Sequence, residues 1–158
     1  MILIQGAGIS GLTLAGLLEQ RSIDYLVIDR CNPLIPAGAG LVLQRNALEV
    51  LGTLATADIE SVSQPIAAMT VGTVANADLQ RIDLTSSIRA CGIHRADLQA
   101  LLLSHIPAAR LKLGATVVSW SRIDNALEIT LNNGARLQAS TLVGADGAGS
   151  QIRKDLLG

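Results

Sequence analysis

Met1-Ile2-Leu3-Ile4-Gln5-Gly6-Ala7-Gly8-Ile9-Ser10-Gly11-Leu12 opens the chain, and every other element is placed by reference to it. Ile2 to Ile4 is a short, wholly apolar run that stops at a glycine, the pattern of a buried parallel strand cut off by a turn. From Ile9 to Arg21 there is no proline, and Leu12, Leu14, Ala15, Leu17 and Leu18 make the stretch apolar on nearly every side. It predicts a helix that must be covered by the sheet and on its other flank as well. Tyr25-Leu26-Val27-Ile28 is a second apolar run, closed by Asp29. Strand, helix and strand make one βαβ unit, with a right-handed crossover and parallel strands.

Gly6-Ala7-Gly8-Ile9-Ser10-Gly11 fits G-x-G-x-x-G, which alone says little. Here it follows a strand and opens a helix, and Asp29 closes the next strand about 20 residues on, as a dinucleotide fingerprint requires. Gly6 allows a tight turn, Gly8 removes a Cβ that would block a pyrophosphate, and Gly11 lets the helix pack closely. The free N–H groups of the first helical turn and the positive end of its dipole then suit phosphate, and the Asp29 carboxylate suits ribose hydroxyls. Arg30, directly after the strand, is open between a solvated arginine and a cofactor contact.

Further along, residues 31 to 41 carry Pro33 and Pro36 and predict a loop. Leu48, Leu51 and Leu54 predict a helix over Arg45 to Ala57, with Gly52 a weak point. Ile66 to Leu84 mixes β-type runs such as Met69-Thr70-Val71 with turn-like Asn76-Ala77-Asp78, which suggests a small antiparallel pair. Arg95 to Ile106 predicts a helix with Leu98, Leu101, Leu102 and His105 on one face, ended by Pro107; His105 reads as a core histidine. Leu127, Ile129 and Leu131 alternate with polar residues, as do Leu137 and Ala139, around Asn132-Asn133-Gly134, which spells a hairpin with one wet face. Thr141-Leu142-Val143 is a buried strand running into a second glycine turn, Gly144-Ala145-Asp146-Gly147.

The composition narrows the classes. The chain has 158 residues, about one domain, with 49% hydrophobic and only 16% charged residues, which excludes disorder. A net charge of −1 builds no field for nucleic acid, and no apolar run is long enough for a membrane span. The start lacks the basic region of a signal peptide, and Cys31 and Cys91 stand apart as free thiols of a reducing compartment, so a cytoplasmic location is expected. Neither these cysteines nor His94 and His105 have partners at metal-site or triad spacing, so no metal is expected. Trp120 and Tyr25 are the only aromatic residues, so rings that stack on an aromatic substrate would have to come from elsewhere.

Gly6-Ala7-Gly8-Ile9-Ser10-Gly11 at the N-terminus, Val27-Ile28-Asp29-Arg30, His94-Arg95-Ala96-Asp97-Leu98 and Gly144-Ala145-Asp146-Gly147-Ala148-Gly149-Ser150, in this order and spacing, resemble the FAD-dependent aromatic-ring hydroxylases, the single-component flavoprotein monooxygenases. The resemblance covers nearly the whole chain. It implies FAD as cofactor, NADPH or NADH as transient electron donor, and transfer of one oxygen atom of O₂ to a small organic substrate. It also implies that Arg95, which on spacing alone would read as a surface residue opening a helix, contacts the flavin, and that Asp146 and Gly147 lie near the FAD ribose and the passing NAD(P)H. Gly38-Ala39-Gly40-Leu41 resembles the segment close to the isoalloxazine ring. Arg153 fits the pattern with no role assigned. Gln5 stands where that family more often has an apolar residue, and little effect is expected of it.

The expected fold is α/β: a Rossmann-like FAD-binding βαβ domain over residues 1–158, with helices on both faces of a parallel sheet and an appended antiparallel hairpin. The cofactor residues are Gly6, Ala7, Gly8, Ile9, Ser10, Gly11, Asp29, Arg30, Arg95, Asp146 and Gly147, and no side chain is named as catalytic acid or base. The resembled family continues into a later glycine-aspartate motif and a substrate sheet. The expectation is therefore the N-terminal part of such an enzyme, its apolar excess covered by a C-terminal segment or by a second copy in a homodimer. The rivals are a non-catalytic nucleotide-binding module and half of an NAD-dependent dehydrogenase.

Overall fold

β1 (Ile2–Gln5) and β2 (Tyr25–Asp29) pair in parallel, Ile2 opposite Tyr25 and Gln5 opposite Ile28, and α1 (Ile9–Gln20) joins them as the apolar spelling predicts. From Gly11 to Leu18 every residue of α1 is buried or half-buried; only Ser10, Glu19 and Gln20 are exposed. The computed structural model describes residues 1–35, 38–73, 80–84 and 90–158, apart from the side chains of 56 and 57. Two compact units emerge: Met1–Pro36 together with Leu102–Gly158, and Ala37–Leu101.

In the first unit, β12 (Thr141–Gly144) pairs with the free side of β1 and β8 (Leu111–Leu113) with β2, giving the parallel order β12-β1-β2-β8. Side chains alternate across a strand, so Leu3, Leu26, Ile28 and Leu142 share one face while Ile4, Tyr25 and Val27 point to the other. The first of these faces is covered by a second, antiparallel sheet in the order β11-β10-β9, made of β9 (Val117–Ile123), β10 (Ala126–Leu131) and β11 (Arg136–Ala139). Leu3 and Ile28 share a core with Val117, Ile129, Leu131, Ala139 and Ile152, the last from α4 (Gln151–Leu157). Each of the leucine, isoleucine and valine side chains among them contributes about 1.5–3 kcal/mol by leaving water.

The sequence predicts helices on both faces; on this one the hairpin sheet adds its cover to that of α4, whose Ile152 lies in the same core. The apolar stripe of Leu127, Ile129 and Leu131 needs a flat apolar partner, and the Leu3 face supplies it. The hairpin turn is as spelled, with Gly134 at φ +80 and Leu131 N–H bonded to Ala135 O at 2.9 Å. At the opposite end of the strands Arg110 bonds the Asp24 carboxylate and the Tyr25 carbonyl, its guanidinium 5.5 Å from the Tyr25 ring centroid.

The second unit holds an antiparallel sheet in the order β3-β7-β4: β3 (Gly40–Gln44), β7 (Ala90–His94) and β4 (Ser63–Pro65). α2 (Arg45–Val62) runs past the predicted Ala57 and breaks at Ala55, where φ −160 and ψ 55 leave the helical region. β5 (Ala68–Val71) and β6 (Gln80–Asp83) form the expected antiparallel pair, while Pro36 and Asn76-Ala77-Asp78 lie outside the described residues. α3 (Arg95–Ser104) stops before His105, which is exposed rather than in the core. The chain tightens there, His105 N–H reaching Leu102 O and Ile106 N–H reaching Leu103 O, so Ile106 takes the inward place. Cys31 and Cys91 are free thiols. Large apolar side chains are exposed at Ile35, Val42, Val118, Leu156 and Leu157, and no helix of the described residues is long and apolar enough to cross a membrane.

Candidate nucleotide site

β1 lies between β2 and β12, so the carboxyl ends of three parallel strands stand side by side. The chain moves from β1 to β2 through α1 and comes back to the other side of β1 only at β12. That reversal of strand order leaves a crevice beyond the strand ends, the usual ligand position in such sheets.

Gly6 extends β1 through its N–H to Ile28 O at 2.8 Å and turns with φ +117. A Cβ there would stand 2.2 Å from Ala145 O, and one on Gly11 would stand 1.9 Å from Gly6 O. The first turn, the start of α1 and the second glycine turn are therefore interlocked backbone to backbone, and no side chain fits between them. Gly8 is different. Nothing lies within 4 Å of its missing Cβ, and its φ of −80 and ψ of −177 suit any residue. α1 starts just behind it with no side-chain cap and no acidic residue in its first turn. Orphan N–H groups at the positive end of a helix, beside an open space that the fold does not need, are a fit for a diphosphate.

The Asp29 carboxylate faces this turn. Its Oδ2 accepts from Ala7 N–H at 2.7 Å and its Oδ1 from Cys31 N–H at 2.8 Å. It thus fastens the glycine turn to β2, commits the Ala7 amide to protein rather than phosphate, and keeps lone pairs for a hydroxyl donor. Arg30 is exposed, and its side chain has no hydrogen bond or ion pair among the described residues. Asp146 lies on the far side of β1, where Ala145 N–H bonds Gln5 O at 2.8 Å. Its Oδ2 accepts from Gln5 Nε2 at 3.0 Å and Gln151 N–H at 2.9 Å, while its Oδ1 is buried without a partner. Desolvation pushes this carboxyl up, but the Ser150 hydroxyl, the Gln5 amide and backbone N–H groups outweigh it and hold it below the usual range. Gly147 turns the chain with φ +82, and Arg153 braces the segment between this turn and α4, its guanidinium on Ala148 O and its N–H on the Ser150 hydroxyl.

Gln5, of which the sequence reading expects little, is the residue that joins these parts. It is 4% exposed, and its Oε1 accepts from Val117 N–H at 2.7 Å and from the Thr116 hydroxyl at 3.4 Å. One polar side chain in a strand otherwise wholly apolar was the available signal. Arg95 belongs to the second unit, where it opens α3, is half-buried, and donates its N–H to Ala39 O at 2.9 Å. There it adjoins the segment Gly38-Ala39-Gly40-Leu41, whose last two residues are not loop but the start of β3. Among the described residues no group of His, Cys, Asp and Glu is placed to hold a metal ion.

The profile of the FAD binding domain family matches residues 1–157. The chain belongs to the FAD-binding domain family. This FAD-binding domain is 31% identical over 159 residues to 2-heptyl-3-hydroxy-4(1H)-quinolone synthase of Pseudomonas aeruginosa, covering 97% of the chain and 41% of the relative. It is 32% identical over 165 residues to 3-amino-4-hydroxybenzoate 2-monooxygenase of Streptomyces cremeus, covering 99% of the chain and 42% of the relative. Among solved structures it superposes on 2,6-dihydroxypyridine-3-hydroxylase from Arthrobacter nicotinovorans with a TM-score of 0.81 at 25% identity, over 99% of the chain and 39% of that protein. The FAD-binding domain thus spans about two-fifths of the length of the relatives it matches. An FAD site, rather than half of an NAD-dependent dehydrogenase, is the consequence of that membership.

Proposed function

We propose that residues 1–158 are the FAD-binding portion of an NAD(P)H-dependent flavoprotein monooxygenase that places one atom of O₂ in a small organic substrate. The observation that carries this reading is the uncapped start of α1 behind the empty side of Gly8, with Asp29 and Asp146 at the strand ends on either side of β1. In this reading the free amides of Gly8, Ile9, Ser10 and Gly11 and the helix dipole hold the diphosphate. Ala7 holds Asp29 in place, and Asp29 offers its remaining lone pairs to the adenosine ribose. Asp146, with Gly147 as its turn, lies near the cofactor ribose and the passing NAD(P)H. Arg95 and Arg30 are the cofactor's cationic contacts. Bound FAD would supply the electron transfer and the activation of dioxygen, which no side chain here can do.

The relatives' names point to ring substrates, so an aromatic or heteroaromatic substrate is the class we favour. Neither aromatic residue of the chain could stack on it: Tyr25 is buried, and Trp120 packs against the core of the first unit. The free thiols support a cytoplasmic setting. Because the chain matches two-fifths of its relatives, a nucleotide-binding module without turnover is the second reading for these residues alone. Cover from a second copy or from a segment like those of the longer relatives belongs to the same proposal.

Purified protein decides between these. A visible flavin absorbance band that co-purifies or is restored by added FAD supports the cofactor site, and its absence at saturating FAD overturns it. Oxygen uptake driven by NADPH or NADH then separates the enzyme from the module.

A further inference from the structure

We propose that Gln5 is a positioning residue: its side-chain amide fixes the Asp146 carboxylate, and with it the second glycine turn of the nucleotide site. This rests on the cofactor reading above. The chain itself sets the polarity of the Gln5 amide. Val117 N–H is a backbone donor at 2.7 Å and can be met only by an acceptor, so Oε1 must face it and Nε2 must face Asp146. The Thr116 hydroxyl approaches the same oxygen at 3.4 Å.

On the Asp146 side, Oδ2 already has two donors, Gln5 Nε2 and Gln151 N–H. Rotating the carboxylate to exchange its oxygens would break both bonds. Oδ1 is thereby confined to one buried position. Ile152 closes this side, since a Cβ on Gly144 would stand 3.4 Å from Oδ1 and 2.9 Å from Ile152 Cβ. All the groups that hold Asp146 are uncharged: an amide, the Ser150 hydroxyl and backbone N–H. Fixing this carboxylate therefore depends on donor geometry, and Gln5 is the one side-chain amide that provides it.

Gln5→Glu tests this with little change of shape. It keeps an acceptor for Val117 N–H but loses the donor and brings a second carboxylate against Oδ2. Gln5→Met removes both functions and shows the cost of leaving Val117 N–H unmet. Thermal melts identify which variants fold, ¹³C NMR follows the titration of Asp146 without cofactor, and fluorescence quenching measures FAD binding. In a folded variant the Asp146 titration moves upward by about one pH unit, and the FAD dissociation constant rises about tenfold. A strut that merely ties β1 to β9 would lower the melt without moving the titration. An unmoved titration in a folded variant overturns the proposal, as does a moved titration with unchanged FAD affinity. Should wild type fail to bind FAD, the functional reading falls and the effect on FAD affinity falls with it, while the titration still decides whether Gln5 sets Asp146.

Discussion

Gly8→Ala should separate folding from cofactor binding, because the structure gives this glycine no folding task. Its backbone angles suit alanine, and the new methyl group meets nothing within 4 Å. Alanine restricts the unfolded chain, which stabilises by about 0.4–1 kcal/mol. As an N-cap it is poorer than glycine by about 0.5–1 kcal/mol. These effects oppose each other, so the unfolding free energy without cofactor should stay within about 0.5 kcal/mol of wild type. The methyl group, however, occupies the space through which a diphosphate would reach the first-turn amides. Losing two charge-assisted hydrogen bonds costs about 2–3 kcal/mol, which raises the FAD dissociation constant about 30- to 150-fold. Gly11→Ala is the counterpart: its Cβ would stand 1.9 Å from the Gly6 carbonyl oxygen, a backbone atom that cannot give way. That overlap should cost about 3 kcal/mol or more. Urea denaturation without cofactor and FAD titration by fluorescence quenching measure the two effects. A Gly8→Ala variant that loses several kcal/mol of stability, or binds FAD like wild type, refutes the assignment of this space to the cofactor.

Asp29→Ala removes the carboxylate that accepts from the Ala7 and Cys31 amides, so the apoprotein should lose about 1–3 kcal/mol in urea denaturation, apart from any effect on FAD. An unchanged midpoint would mean the carboxylate serves only a ligand. Gly144→Ala brings a Cβ to 2.9 Å from Ile152 Cβ and should destabilise by about 1–3 kcal/mol by pushing α4 away from β12, seen as a lower melting temperature. The Asp146 carboxyl is held below its ordinary value near 3.8, so between the two values the folded chain carries fewer protons than the unfolded one. Its contribution is whole above the ordinary value and fades as pH falls through the depressed one. Urea midpoints measured across that acidic range should fall more steeply for wild type than for Asp146→Asn, and parallel curves would contradict the hydrogen-bonding network around this carboxylate.

The βαβ unit, the hairpin and the strand at Thr141 were legible because each buries a stripe whose period shows in the residues themselves. β9 was not. Only Val117 of that strand is buried and Trp120 half-buried, so Val118, Ser119, Ser121 and Arg122 carry no alternation to read. β8 is three residues long and β4 contains Pro65, lengths and compositions that leave no pattern. α2 outran its prediction because the kink at Ala55 interrupts the leucine spacing without ending the helix. At the site, glycine and aspartate types at fixed spacing announced the first turn and Asp29. The sequence could not announce that Asp29 would bind the turn itself, or that a glutamine would join β1 to β9 and Asp146, since both depend on strands far apart in the chain.

That β1 is flanked by β12 has a bearing on how the molecule is made. Leu3 finds its neighbour Leu142 only after the long intervening segment has been synthesised, although β2 is at hand early. A nascent chain can close its first crossover soon after leaving the ribosome, yet the central strand then keeps one raw edge until residues 141–144 emerge. Pairings between such distant segments form slowly and leave the unfinished sheet open to wrong partners. The delicate interval for this sheet would thus last until β12 has emerged, and it concerns the same strand on whose tip the nucleotide cradle is built.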